Sequence, residues 1–142
     1  MSATKQRQFL DTNVLIYAHD LTSGDKHKKA DALLQELWHS DEGCLSIQVL
    51  QEFYVNITRK IASPLTPELA IQIITALSTW QVHSPKVSDL TDAARLQARY
   101  QISFWDAMIL VSARQLGCQT LWSEDLSAGQ DYEGITVRNP FA

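Results

Sequence analysis

Apolar residues return along this chain in two rhythms: short runs of strand length, and longer stretches in which they recur every three or four positions. The first run, residues 8–11, predicts a strand ending at Asp11, with a helix over 13–18 following after almost no loop. Residues 26–39 place Ala30, Leu33, Leu34, Leu37 and Trp38 along one side, opposite a charged face, which predicts an amphipathic surface helix. Gly43 punctuates the chain before a short strand over 44–46. Ser46 then caps a helix from 47 to about 61, whose apolar stripe is Val49, Leu50, Phe53, Tyr54, Ile57 and Ile61.

Thr66 followed by Pro67 marks a helix start, because a proline at the first helical position loses no intrahelical hydrogen bond. That helix carries Ile71, Ile74 and Leu77 and stops near Thr79. A strand over 80–83 leads through Pro85 to a helix over 90–100, after which Ser103 caps a helix over 104–116 that Gly117 ends. Strands over 119–122 and 135–137 close the chain, separated by a polar loop with Gly129 and Gly134. Strands alternating with helices predict an α/β sandwich around a mainly parallel sheet, a class of fold that binds ligands outside the carboxyl ends of its strands.

Composition narrows this picture. At 142 residues, 45% hydrophobic and 20% charged, residues 1–142 fit a single domain with its own core. No apolar run approaches a membrane span and the first residues lack an apolar leader, so a cytoplasmic protein without membrane contact is expected. Cys44 and Cys118 have no C-x-x-C or Cys/His spacing, which predicts free core thiols rather than a disulfide or a zinc site. The four histidines also lack ligand spacing and read as surface or satisfied residues, and the four tryptophans read as mostly core. A net charge of −4 argues against coating nucleic acid through bulk positive charge. It does not exclude a phosphate substrate, because acids gathered around two divalent ions are neutralised locally.

The candidate chemistry is acidic. Asp106 lies on a helical wheel with Ile109, Leu110, Ala113 and Leu116, a face expected to be buried, where an unpaired carboxylate is expensive. It is also the fourth residue of a Ser103 to Asp106 capping box, which would explain it without any function. Glu52 flanks the Val49, Leu50, Phe53 stripe, and alone reads as a solvated edge position. Asp11 alone reads as a helix N-cap, and Asp125, beside Glu124, as a turn acid. In combination, two acids just after strands and two on core-side helix positions offer the clustered oxygens that hard divalent ions require.

The segments carrying these acids resemble a known family. Leu10-Asp-Thr-Asn-Val-Leu-Ile-Tyr-Ala18, Leu50-Gln-Glu-Phe-Tyr54, Phe104-Trp-Asp-Ala-Met-Ile-Leu110 and Leu121-Trp-Ser-Glu-Asp-Leu126 look like PIN-domain proteins, and are closest to the VapC-like toxins of toxin-antitoxin pairs. The resemblance spans roughly residues 8 to 141, and the tail Gly129-Gln130 and Asn139-Pro-Phe141 is similar to one branch. It implies a PIN-like three-layer sandwich in which Asp11, Glu52, Asp106 and Asp125 are the catalytic, metal-binding acids for Mg²⁺ or Mn²⁺. Asn13 and Ser123 match supporting polar positions, Ser123 as partner of a ligand or water, and Thr12 stands beside them. Glu124 adds an acid where the family varies, and its role as fifth ligand or surface group stays open.

The activity implied is hydrolysis of RNA phosphodiester bonds, leaving a 5′-phosphate and a 3′-hydroxyl. In this reading Asp11 and Asp106 anchor a primary ion, while Glu52 and Asp125 complete its shell or recruit a second ion about 4 Å away. A cognate antitoxin protein and a homodimer are implied by the resemblance alone. Lys26, Lys28 and Lys29, and the pair Arg59 and Lys60, read first as a solvated helix face and a helix C-terminus, and only secondarily as RNA contacts. Two alternatives, one an enzyme and one a non-enzymatic receiver, fail on spacing. A haloacid dehalogenase pattern wants an acid where Asn13 stands, and a phospho-receiver wants a late lysine, whereas the last lysine is Lys86. A housekeeping RNA-processing nuclease and a catalytically idle PIN-like binding module stay open.

Overall fold

Strand β1 (Gln8–Leu10) runs through the middle of a six-stranded sheet of order β3-β2-β1-β4-β6-β5, in a computed structural model that describes residues 6–142. The elements follow as α1 (Thr12–His19), α2 (Asp25–Ser40), β2 (Gly43–Ser46), α3 (Ile47–Arg59), α4 (Pro67–Leu77), β3 (Gln81–His83), α5 (Val87–Tyr100), α6 (Phe104–Gln115), β4 (Thr120–Trp122), β5 (Asp131–Tyr132) and β6 (Ile135–Arg138). Every pairing is parallel except that of β5 with β6. The α/β class and the mainly parallel sheet flanked by helices are therefore as the sequence predicted. Phe9 and Leu10 are fully buried, as a central parallel strand covered by helices on its two faces requires. Helix α1 packs against α2 and α3, α3 against α4, and α5 against α6.

Local chemistry sets the helix starts. Ser46 Oγ accepts from Val49 N at 3.2 Å, Thr66 Oγ1 from Leu69 N at 3.2 Å, and Ser103 Oγ from Asp106 N at 3.0 Å. Each satisfies one of the backbone donors that a helix N-terminus leaves free. Helix α5 begins three residues earlier than the periodicity indicated, because the Asp89 carboxylate accepts from Lys86 N at 2.8 Å and fixes a first turn whose apolar Val87 is left exposed. Strand β5 was not foreseen. It is two residues long and joined to β6 by Glu133 and Gly134, both at positive φ (55° and 95°), the backbone twist that suits a tight hairpin. Gly43 lies inside β2 rather than before it. Its lack of a side chain is a packing need, since a Cβ there would run into the Trp80 ring.

Burial separates the tryptophans. Trp80 is buried and Trp38 meets it edge to face at 5.2 Å, but Trp105 is 64% exposed, contrary to the expectation of a mostly core set. Cys44 and Cys118 are buried free thiols, as expected, and Cys44 Sγ donates to Glu42 O at 3.7 Å.

A polar cluster ties β3, α5 and α6 together. His83 Nδ1 lies 2.8 Å from Ser112 Oγ and its Nε2 lies 3.3 Å from Asp89 Oδ2, while Gln115 Nε2 donates to Asp89 Oδ1 at 3.1 Å. The residue types are those of a nucleophilic relay, but Ser112 is wholly buried and cannot meet a substrate. The cluster satisfies its own polar groups, in keeping with the expectation that His83 is a surface or satisfied residue.

Candidate metal centre

Asp11 follows the central strand and caps α1, so its backbone and both carboxylate oxygens are held. Its N–H donates to Trp122 O at 2.9 Å, Oδ1 accepts from Thr12 N at 2.7 Å, and Oδ2 accepts from Ser123 Oγ at 2.8 Å. The capping role and the site role are thus one arrangement. Asp125 lies in the turn after β4, where Ser123 Oγ accepts from its N–H at 3.1 Å and from that of Leu126 at 3.3 Å. The Asp125 carboxylate accepts from Asn13 Nδ2 at 2.8 Å. Asp106 stands in the first turn of α6. Only half of its capping box forms, since Ser103 takes the Asp106 N–H and, among the described residues, nothing donates to the Asp106 carboxylate. Nor is Asp106 buried with the apolar face as predicted. The covered positions of α6 run from Ala107 to Ala113, and Asp106, one residue short of them, is half-buried at the helix end.

One oxygen from each of Asp11, Asp106 and Asp125 falls within a group spanning no more than 4.8 Å. Burial is the main reason that the Asp11 carboxyl is pushed up to about 6, with the charges of Asp125 and Asp106 adding to it and the hydrogen bonds from Ser123 and Thr12 opposing it. Asp125 is raised too, first by burial and then by Asp106 and Glu124. A group of like charges with one member buried and no basic partner in it is costly as it stands, and a hard divalent cation is the counter-charge that all-carboxylate donors fit.

The other predicted residues take distinct places. Glu52 stays outside the trio: its Oε1 accepts from Gln48 Nε2 at 2.8 Å and its Oε2 from Thr12 Oγ1 at 3.4 Å, so it borders the centre through Thr12. Glu124 turns away, pairing with Lys26 Nζ at 2.8 Å and meeting Tyr17 OH at 3.5 Å. That ion pair also accounts for Lys26. Asn13 and Ser123 each hold one of the acids, as the supporting positions were expected to. Gln48 was missed, although its i to i+4 spacing from Glu52 on one helix was readable.

The profile of the PIN domain matches residues 9–128. The chain belongs to the PIN-domain family. PIN domains are typically metal-dependent nucleases, and this one has the acidic trio in place. No curated protein matches the chain. Among solved structures, it is similar to a toxin-antitoxin complex from Klebsiella pneumoniae, at a TM-score of 0.68 and 22% identity over 94% of this chain and 97% of that one. It is similar also to VapC20 of Mycobacterium tuberculosis, described as a sarcin-ricin loop cleaving toxin, at 0.64 and 21% over 83% and 91%. A DNA-bound VapBC from Salmonella typhimurium matches at 0.65 and 18% over 95% and 98%. At these identities the likeness establishes a shared PIN fold along essentially the full length.

Proposed function

We propose that this PIN domain is a Mg²⁺- or Mn²⁺-dependent endoribonuclease and the toxin of a type II toxin-antitoxin pair. The observation that carries the reading is the convergence of Asp11, Asp106 and Asp125, from three separate elements, on a space of ion-ligand size. Asp11, Asp106 and Asp125 hold the ion, and Glu52 completes the acidic wall beside it. When bound, a divalent ion supplies Lewis acidity at the phosphate and a more acidic water.

The chain's own groups provide the rest. Thr12 and Ser123 fix both oxygens of Asp11, and Asn13 fixes Asp125, so these acids are pre-set before any ligand arrives. Among the described residues, no donor engages the Asp106 carboxylate, while its N–H is held by Ser103. Glu52, steadied by Gln48, orders water at the edge of the site and takes up a proton during hydrolysis. The products are a 5′-phosphate and a 3′-hydroxyl. Residues 1–142 act as one domain, in the cytoplasm, as a homodimer that a cognate antitoxin silences. The antitoxin is supported by the crystallisation of structural relatives as toxin-antitoxin complexes.

The test is incubation of RNA with purified wild type and Asp11→Asn, in Mg²⁺ or Mn²⁺ and in chelator, with the new ends mapped. Cleavage by wild type that needs the ion, leaves 5′-phosphates and vanishes in Asp11→Asn supports the nuclease; undiminished cleavage by the variant overturns it. Inducible expression of the same pair tests the toxin role, which equal growth would exclude.

A further inference from the structure

Trp105 precedes Asp106 in the first turn of α6 and leaves 64% of its surface in solvent. Nothing in the core needs it there. Its ring is braced rather than loose: Phe104 meets it edge to face at 5.3 Å, and its carbonyl accepts from Gln48 Nε2 at 3.4 Å. The same Gln48 nitrogen donates to Glu52, so one amide ties the tryptophan's backbone to the acid that borders the metal centre. Between these groups opens a cavity of about 440 Å³ lined by Gln48, Gln51, Glu52 and Trp105. Its volume lies within the usual span of small-ligand pockets. Glu52 is its wall on one side and touches Thr12, next to Asp11, on the other, so cavity and acidic trio are neighbours.

The lining chemistry selects the occupant. A planar aromatic face, the Gln51 amide that can donate and accept, the Gln48 amide oxygen and one carboxylate suit a flat, neutral ring with polar edges. The adjoining groove lined by Ile47, Leu50, Gln51, Tyr54, Val55 and Ile74 is the contrasting case, almost wholly apolar. The acids around the Trp105 cavity also disfavour an anionic group within it. A strand whose phosphate reaches the metal centre would place an adjacent base, the uncharged part of the nucleotide, at the indole.

We propose that Trp105, with Gln48 and Gln51, forms a nucleobase subsite flanking the metal centre, in which one unpaired base of the RNA stacks on the indole. This rests on the nuclease reading above. Stacking on an aromatic side chain is available to every base, whereas a base inside a duplex must first be taken from its stack. The subsite thus selects single-stranded or looped RNA.

The test uses Asp11→Asn protein, which spares the RNA, titrated with a short single-stranded oligoribonucleotide, its duplex, and an abasic ribose-phosphate strand of equal length. The single strand is expected to bind best and to quench tryptophan fluorescence, with the quench lost in Trp105→Phe. Trp105→Ala is expected to weaken single-strand binding by about ten- to a hundredfold, while Trp105→Phe, which keeps an aromatic face, retains most of it. Equal binding of the abasic strand, or an unchanged affinity in Trp105→Ala, overturns the subsite while leaving the nuclease intact. Failure of the parent protein to bind or of wild type to cleave RNA removes the nuclease reading and the subsite with it. Sedimentation of the same variants closes the remaining route: if Trp105→Ala dissociates a self-associated form and loses affinity only as far as that dissociation explains, the indole packs against a second copy and the proposal is wrong.

Discussion

Two clusters of polar side chains lie in this molecule, and they are built on opposite principles. In the cluster of His83, Asp89, Ser112, Gln115 and the Lys86 backbone, each Asp89 oxygen meets a donor and each histidine nitrogen meets a partner. In the acidic trio, Asp11, Asp106 and Asp125 crowd together with like charge, and burial with mutual repulsion holds Asp11 and Asp125 toward their protonated forms. A satisfied cluster contributes to the fold. A cluster left unbalanced at a strand's carboxyl end is a place prepared for something else.

The sharpest way to break this contrast is to remove an acid from each side. Asp106→Asn is expected to lower metal-dependent RNA cleavage by more than about a hundredfold, beyond what loss of a merely supporting group costs, while its melting temperature holds or rises as repulsion is relieved. Cleavage of labelled RNA beside thermal melts checks both halves. Asp89→Ala should do the reverse. It strands the Lys86 N–H, the Gln115 amide and His83, at a cost of about 3 kcal/mol in denaturant unfolding, while each folded molecule keeps its cleavage rate.

A third experiment titrates the difference. Asp11 takes up its proton near 6 when folded against 3.8 ordinarily, so between those values the folded chain holds a proton that the unfolded chain has released. The ion-free protein is therefore favoured at the acid end of that window. Stability falls as pH rises through it, to a loss of about 3 kcal/mol at neutrality. Melts in chelator across the window should show this decline in wild type and not in Asp11→Asn; parallel curves would mean that Asp11 is not the group responsible. The smallest effect is that of the cation. Mg²⁺ or Mn²⁺ at about a hundred times its dissociation constant should stabilise wild type by about 2.7 kcal/mol and leave Asp106→Asn nearly unmoved. A calorimetric scan with and without the ion reads this directly.

What could be read from residues alone follows from what each residue needs. Ser46, Thr66 and Ser103 announce their helices because a cap is a local bargain between a side chain and an N–H three residues on. The four acids were legible as candidates because their order and flanking residues match the family. Their division into a trio, an adjoining Glu52 and a diverted Glu124 was not, because it depends on Lys26 and Gln48 reaching across from other elements. Asp89 carries no signal in the sequence for the same reason, since His83 and Gln115 are its partners only once β3, α5 and α6 have met. Trp105 was placed with the other tryptophans by type, and only packing shows that the interior has no place for it. Strand β5 is too short for any alternation to register.

The parallel pairing of β1 with β4 also governs when this centre can exist during synthesis. Asp11 leaves the ribosome early, but Ser123, which holds it, lies 112 residues later, and the same separation divides Asn13 from Asp125. A nascent chain that has not yet delivered β4 has neither the strand that lies against Trp122's partner Leu10 nor the third carboxylate of the trio. Closure over so long a separation is slow and comes after the local helices have formed. The acidic centre is thus among the last features to appear, and a product that ends before residue 120 would carry Asp11 and Asp106 without the third acid.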